Sequence, residues 1–219
     1  MAGRKNSRLR VPLTQESIVA AAVEVIEVGG LDAFSTRKLA ERLGCEAMSI
    51  YHHFPNKAHL MDALVDRFIA TIEVPPAGIA WQDRLRRLTV SWRSAAIKQP
   101  EFFRYFVIHR LNTAAGLKFL DAMLSIYFDA GFDSERAARF FRLTGYYVTG
   151  GLLDETSGYA KGPSAVAPPS NADIGRDYPR IAAAAPYFQR GSYEKTLDVG
   201  LELLIAGFER ELAAPKEGR

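Results

Sequence analysis

The stretch Ser35-Thr36-Arg37-Lys38-Leu39-Ala40-Glu41-Arg42-Leu43-Gly44-Cys45-Glu46-Ala47-Met48-Ser49-Ile50-Tyr51-His52-His53-Phe54-Pro55-Asn56-Lys57 decides the fold. Ser35 or Thr36 can cap a short helix through its hydroxyl, and Leu39, Ala40 and Leu43 then fall on one face. Gly44 can take a positive φ and end that helix without a Cβ clash. A second short helix follows over about Ala47 to His53, with Ile50 and Phe54 four apart on its buried side. Two short amphipathic helices joined by a tight Gly-containing turn make a helix-turn-helix. The second helix would expose Ala47, Met48, Tyr51 and His52 to a groove, while Asn56 caps the next helix with Lys57 at its start. This spacing predicts a DNA-reading unit; the plainer reading is a helical corner with an exposed Tyr and His.

Length and composition bound what surrounds this unit. The chain has 219 residues, enough for one or two domains with a sizeable core. Hydrophobic residues make up 48% and charged ones 24%, which excludes a disordered chain. Formal net charge is only +3, so the basic excess is mild, but it is unevenly placed. Arg4, Lys5, Arg8 and Arg10 fall in a start that contains no acid. That tail reads equally well as an arm along phosphates or a minor groove and as a solvated terminus. No signal-peptide pattern follows it, and no run reaches the ~18 apolar residues of a membrane span. Cys45 is the only cysteine, so no intrachain disulfide can form, and a reducing cytoplasm is the expected location. Its position in the turn suits packing better than a redox switch.

Along the chain, Thr14 is expected to cap a first helix with Glu16 in its first turn. Ile18, Ala22, Val25 and Ile26 form a stripe to pack across the reading helices, and Gly29-Gly30 stops it. Leu31 and Phe34 plug the small core. From Asn56 a longer helix carries Leu60, Met61, Leu64, Val65, Phe68 and Ile69, predicted to run unbroken to about Ile72 as a rigid connector. Trp81 to Lys98 reads as a helix with Leu85, Leu88, Trp92 and Ala96 inward, closed by Pro100. Phe102 to His109 is a short aromatic segment, and Asn112 or Thr113 caps a helix ending at Gly131. Ser134 to about Glu155 is apolar on nearly every side, as for a helix buried on more than one face. Residues 158–179, rich in Pro, Gly, Ser and Ala, are expected to form a mobile loop, with a short helix before Pro186. A final helix carries Leu197, Leu201, Leu204, Ile205, Phe208 and Leu212. The predicted fold is all-α: a three-helix unit over residues 1–55 with its basic arm, then a larger helical domain over 56–219.

The ordered set Thr36-Arg37-Lys38-Leu39-Ala40, Leu43-Gly44, Tyr51, His53 and Asn56-Lys57 resembles the DNA-binding domain of the tetracycline-repressor (TetR) family. Further on, Trp81-Gln82-Asp83, Gly131-Phe132, the helix around Gly145 to Leu153 and Gly200-Leu201-Glu202-Leu203 are similar to the tetracycline-repressor branch itself. The resemblance implies a ligand-binding and dimerisation domain, in which the helix at 134–155 and the final helix pair with their mates in a second subunit. It also implies that Ala47, Met48 and His52 face base edges. Arg37 is the best base-reading candidate by its own chemistry, since its fork matches guanine O6 and N7. Thr36, Tyr51, His53 and Lys57 are expected on phosphates. One departure bears on the ligand. The branch that binds magnesium-tetracycline has histidine ligands where this sequence carries Glu73 and Phe106. An aromatic or apolar ligand is therefore expected, with Trp92, Phe106, Met123, Tyr127 and Tyr147 as walls and His109 or Asp154 as polar contact. The bland reading of each aromatic is core.

The sequence shows no Cys/His zinc spacing, no nucleophile elbow and no phosphate-binding Gly-rich loop. The reading is a homodimeric, ligand-responsive repressor that binds a palindromic double-stranded DNA operator and is released by a small-molecule inducer. It needs no cofactor, metal or membrane and performs no catalysis. The alternative is a dimeric ligand-binding or protein-interaction module with a vestigial helix-turn-helix.

Overall fold

The computed structural model describes residues 12–157 and 165–214, and among them the secondary structure is helical throughout, with no strand. The helices are α1 (Gln15–Gly29), α2 (Thr36–Leu43), α3 (Ala47–Tyr51), α4 (Lys57–Ile69), α5 (Trp81–Lys98), α6 (Pro100–Phe106), α7 (Ala114–Asp129), α8 (Ser134–Ser157), α9 (Asn171–Asp177), α10 (Pro179–Ala184) and α11 (Tyr193–Ala213). Two 3₁₀ turns, Ala185–Phe188 and Arg190–Ser192, lead into α11. The basic start of the chain and the first part of the expected loop lie outside the described residues.

The chain divides into two compact units. One comprises the described residues up to Ile72 together with Lys98–Phe119; the other comprises Glu73–Ile97 and Leu120 onward. In the first unit each helix start has a local cause. Thr14 accepts from the Ser17 amide while Ser17 returns the bond to the Thr14 amide, closing a capping box on α1. Ser35 caps α2 through the Lys38 amide, and Asn56 caps α4 through the His59 amide. Ile18, Ala22 and Ile26 of α1 are fully buried, as are Leu39 of α2 and Leu60 and Leu64 of α4. The three stripes thus share one small core.

The sequence expectations need three corrections here. The connector helix stops at Ile69 rather than near Ile72: the amides of Thr71 and Ile72 bond three residues back, and the Thr71 hydroxyl donates to the Phe68 carbonyl at 2.7 Å. The aromatic segment is a helix, α6, started by Pro100 at its first position and stitched to α1 by Glu27, whose carboxylate accepts from the Phe102 amide at 3.0 Å. Burial raises the Glu27 carboxyl above its ordinary range despite that bond. Phe68 of α4 then packs on Phe102, Phe103 and Phe106, with the Phe106 ring 4.7 Å away. Finally, α9 lies within the stretch expected to be a loop, because Ser170 caps it through the Asp173 amide.

In the second unit α5 lies on α7, α8 and α11. Phe132, Phe140 and Phe208 form an aromatic centre, the last two stacked at 4.4 Å. Arg84 of α5 is buried, yet each side of its guanidinium is used: on the Pro75 carbonyl, the Asp129 carboxylate and the Ser125 hydroxyl. Arg93 forks onto Glu155 of α8 and reaches Glu194 of α11, while Arg86 forks onto Glu202 of α11. Both hold long helices in register. On α8, Ala137, Phe140, Thr144, Val148 and Leu152 are buried, whereas Leu143 and Tyr146 face outward. The helix expected to be covered all round is therefore covered on one side by its own chain.

Candidate functional site

The helix-turn-helix is built by hydrogen bonds that the sequence spacing foretells. Gly44 sits in the left-handed region at φ 67°, ψ 34°. Its amide bonds to the Glu41 carbonyl, and the Cys45 amide bonds to the Ala40 carbonyl at 3.0 Å, the paired closure of a Schellman turn. Cys45 is half-buried. α3 then buries Ile50, and Phe54 follows it into the core.

The side chains left outside are those expected to meet DNA. Thr36 in the first turn of α2 and Tyr51 at the end of α3 come together, their hydroxyls 3.3 Å apart. The Arg37 side chain is 87% exposed, and Glu41 one turn on engages only its Nε at 3.2 Å. Met48 is 64% exposed and His52 is exposed, while Ala47 and His53 are half-buried. The His53 carbonyl accepts from the Gln15 side chain, fixing the end of α3 against α1. Lys57 lies over the Phe34 ring, 5.5 Å from its centre, with its charge at the first turn of α4. A threonine, a tyrosine and a lysine with an adjacent exposed arginine suit a polyanion flanked by base edges.

The residues expected to hold a ligand fall in three places. Trp92, Met123 and Tyr127 line a cavity of about 60 Å³ between α5, α7 and α8 in the second unit. Its other walls include Leu88, Phe141, Thr144 and Val148. Burial pushes the Tyr127 phenol well above its ordinary range, so it remains protonated. Tyr147 and Asp154 instead line a larger cavity, about 450 Å³, between α8, the 3₁₀ turns and α11. There the Tyr147 hydroxyl donates to the carbonyls of Thr196 and Leu197 and its ring fills the space over Gly200. Phe106 and His109 belong to the first unit. Phe106 packs on Phe68, and His109 bonds to Asp62 of α4 at 2.9 Å. Among the described residues no group of His, Cys, Asp and Glu is arranged to hold a metal ion.

Thr144 was not among the expected site residues. It is the one polar side chain in the buried set of α8, in step with Phe140 and Val148. A lone hydroxyl within an apolar stripe is the signal that would have found it. Buried Arg84 carried no comparable sequence signal, because its partners lie far along the chain.

Comparison with known proteins agrees with this geometry. Residues 18–64 match the family model "Bacterial regulatory proteins, tetR family", and residues 74–212 match "Tetracyclin repressor-like, C-terminal domain". The chain is 30% identical over 211 residues to the tetracycline repressor protein class D of Escherichia coli, covering 92% of each. It is 27% identical over 215 residues to the class A repressor from transposon 1721 in Escherichia coli, covering 94% of this chain and 98% of that one. Among solved structures, the Streptomyces coelicolor TetR family protein ActR in complex with actinorhodin superposes with a TM-score of 0.72 at 25% identity, over 92% of this chain and 99% of that one. With both halves matched, the chain belongs to the TetR family of bacterial transcriptional regulators.

Proposed function

We propose that this protein is a homodimeric repressor of the bacterial cytoplasm that holds a palindromic operator and lets it go when a small aromatic ligand enters its second unit. The observation that carries the reading is the intact reading head: a Schellman-closed turn, the Thr36–Tyr51 hydroxyl pair, exposed Arg37 and Lys57 at the start of α4. A vestigial helix-turn-helix would have no reason to keep these together. Arg37 reads a base, Ala47, Met48 and His52 face the groove, and Thr36, Tyr51, His53 and Lys57 hold phosphates. Ala47 and Met48 offer only apolar contact, for example to a thymine methyl.

Dimerisation is supported by the outward faces of α8 and α11. Leu143, Tyr146, Val199 and Leu203 are all exposed there, Leu203 at 69%. A ligand-binding role is supported by the cavity beside Trp92, Met123 and Tyr127, and by relatives named as tetracycline repressors or solved with actinorhodin. Phe106, His109, Tyr147 and Asp154 are then supporting positions: the first two brace α4, the next holds α8 on α11, and Asp154 rims the larger cavity.

The test is operator binding by two variants. Arg37→Ala is expected to cost about 1–3 kcal/mol and to relax preference at one base pair per half-site. Lys57→Ala is expected to weaken all sequences alike and to lower the salt slope by about one per reading head. Equal affinity of both variants and the wild-type protein for DNA would remove the reading head from the account.

A further inference from the structure

The cavity between α5, α7 and α8 has no ionised group on its wall: its lining residues are Leu, Thr, Trp, Met, Tyr, Phe, Gly and Val. Thr144 is 8% exposed, lines that cavity, and its hydroxyl has no hydrogen-bond partner. A helical threonine ordinarily returns its hydroxyl to the carbonyl one turn back; this one does not. It neighbours the Tyr127 phenol without the geometry of a hydrogen bond between them. The phenol is held neutral by burial and is itself a donor. A buried hydroxyl with nothing to bond is destabilising, and such groups in native proteins call for an explanation.

We infer that Thr144 is the polar anchor of the inducer, and that the inducer is an uncharged ring compound whose carbonyl oxygen accepts from the Thr144 hydroxyl, with no metal ion between them. The inference rests on the proposed function only in taking this cavity as the inducer site. An ionic or metal-chelated group is disfavoured because the wall offers no counter-charge, and a bare hydrocarbon would leave Thr144 unbonded. A carbonyl satisfies Thr144, with the rings against Trp92 and Phe141; a cavity of about 60 Å³ must open to admit them, and the pliable Met123 is the wall side chain suited to move.

Two measurements decide the matter on the full-length protein. The first needs no ligand. If the hydroxyl is unbonded, Thr144→Val should melt higher than wild type, whereas a lower melting temperature would mean that water or backbone satisfies it, overturning the inference. The second uses matched neutral probes, 9-fluorenone with fluorene and xanthone with xanthene, followed by melting shift and by fluorescence of a Trp81→Phe variant that reports Trp92. Each ketone should bind more tightly than its hydrocarbon. Thr144→Val should weaken the ketones about three- to tenfold and leave the hydrocarbons unchanged, and Thr144→Ser should restore the preference. Equal binding of ketone and hydrocarbon, or no binding of any ketone, overturns the anchor. Tetracycline with and without magnesium is the remaining arm. A strict magnesium requirement for operator release would refute the metal-free ligand while upholding a ligand-responsive repressor. Failure of every compound to release the operator would count against the repressor reading itself.

Discussion

Gly200 offers the sharpest stability test, because its neighbour occupies the space that any side chain would need. A methyl group there would overlap the Tyr147 hydroxyl and the adjoining ring carbons. That hydroxyl lies 2.8 Å from the Thr196 carbonyl and 3.0 Å from that of Leu197, holding α8 on α11. In Gly200→Ala the ring must leave. The loss is about 1 kcal/mol for the hydrogen bond and about 1–3 kcal/mol for strained packing. Replacing a mid-helix glycine returns about 1 kcal/mol. The net expectation is a destabilisation of about 1–3 kcal/mol. In a Tyr147→Ala background the obstruction is gone, so the same substitution should be neutral or stabilise by up to about 1 kcal/mol. The coupling in this double-mutant cycle is then about 1–4 kcal/mol. Urea unfolding followed by circular dichroism, at one protein concentration for all four proteins, measures it. An equal cost of Gly200→Ala in both backgrounds would refute the cradle.

Leu203→Glu places a charge on an exposed position of the lone chain, where it should cost within about 0.5 kcal/mol, but it buries an unpaired charge if two α11 helices meet. Sedimentation should show monomer, with operator affinity lower by roughly a hundredfold or more; a monomeric wild type at micromolar concentration would contradict the dimer. Tyr127 gives a pH test. Its phenol stays protonated when folded but ionises near pH 10 when unfolded, so the folded state holds more protons there. Stability should therefore fall as pH rises above about 10, and Tyr127→Phe should remove that part of the fall; an unchanged alkaline limb in thermal melts would contradict it.

What the sequence made legible was local. Thr14, Ser35 and Asn56 announce their helices because a cap needs only one side chain and the amide three residues on. Gly44 announces the turn because few other residues take its φ. The stripes of α1, α4 and α11 read correctly because helical period and burial coincide. Long-range chemistry did not read. Nothing local to Pro100–Phe106 says that Glu27, 75 positions away, accepts the Phe102 amide. Tyr147 does line a cavity, but nothing near it in sequence says that its hydroxyl bonds to the backbone of α11. Trp92, Met123 and Tyr127 do share a cavity; Thr144 could be placed in its stripe from the sequence, but that its hydroxyl has no partner shows only once the helices are packed.

Whether this chain reads DNA as a two-fold assembly can be measured by selecting bound duplexes from a random library with the wild-type protein at moderate salt. One enriched motif is expected, with inverted half-sites whose centres lie about one helical turn or a near multiple apart. Arg37→Ala, put through the same selection, should lose one base preference in each half-site and keep their spacing. Recovery of unenriched sequence at a salt concentration where the protein still binds DNA would contradict it.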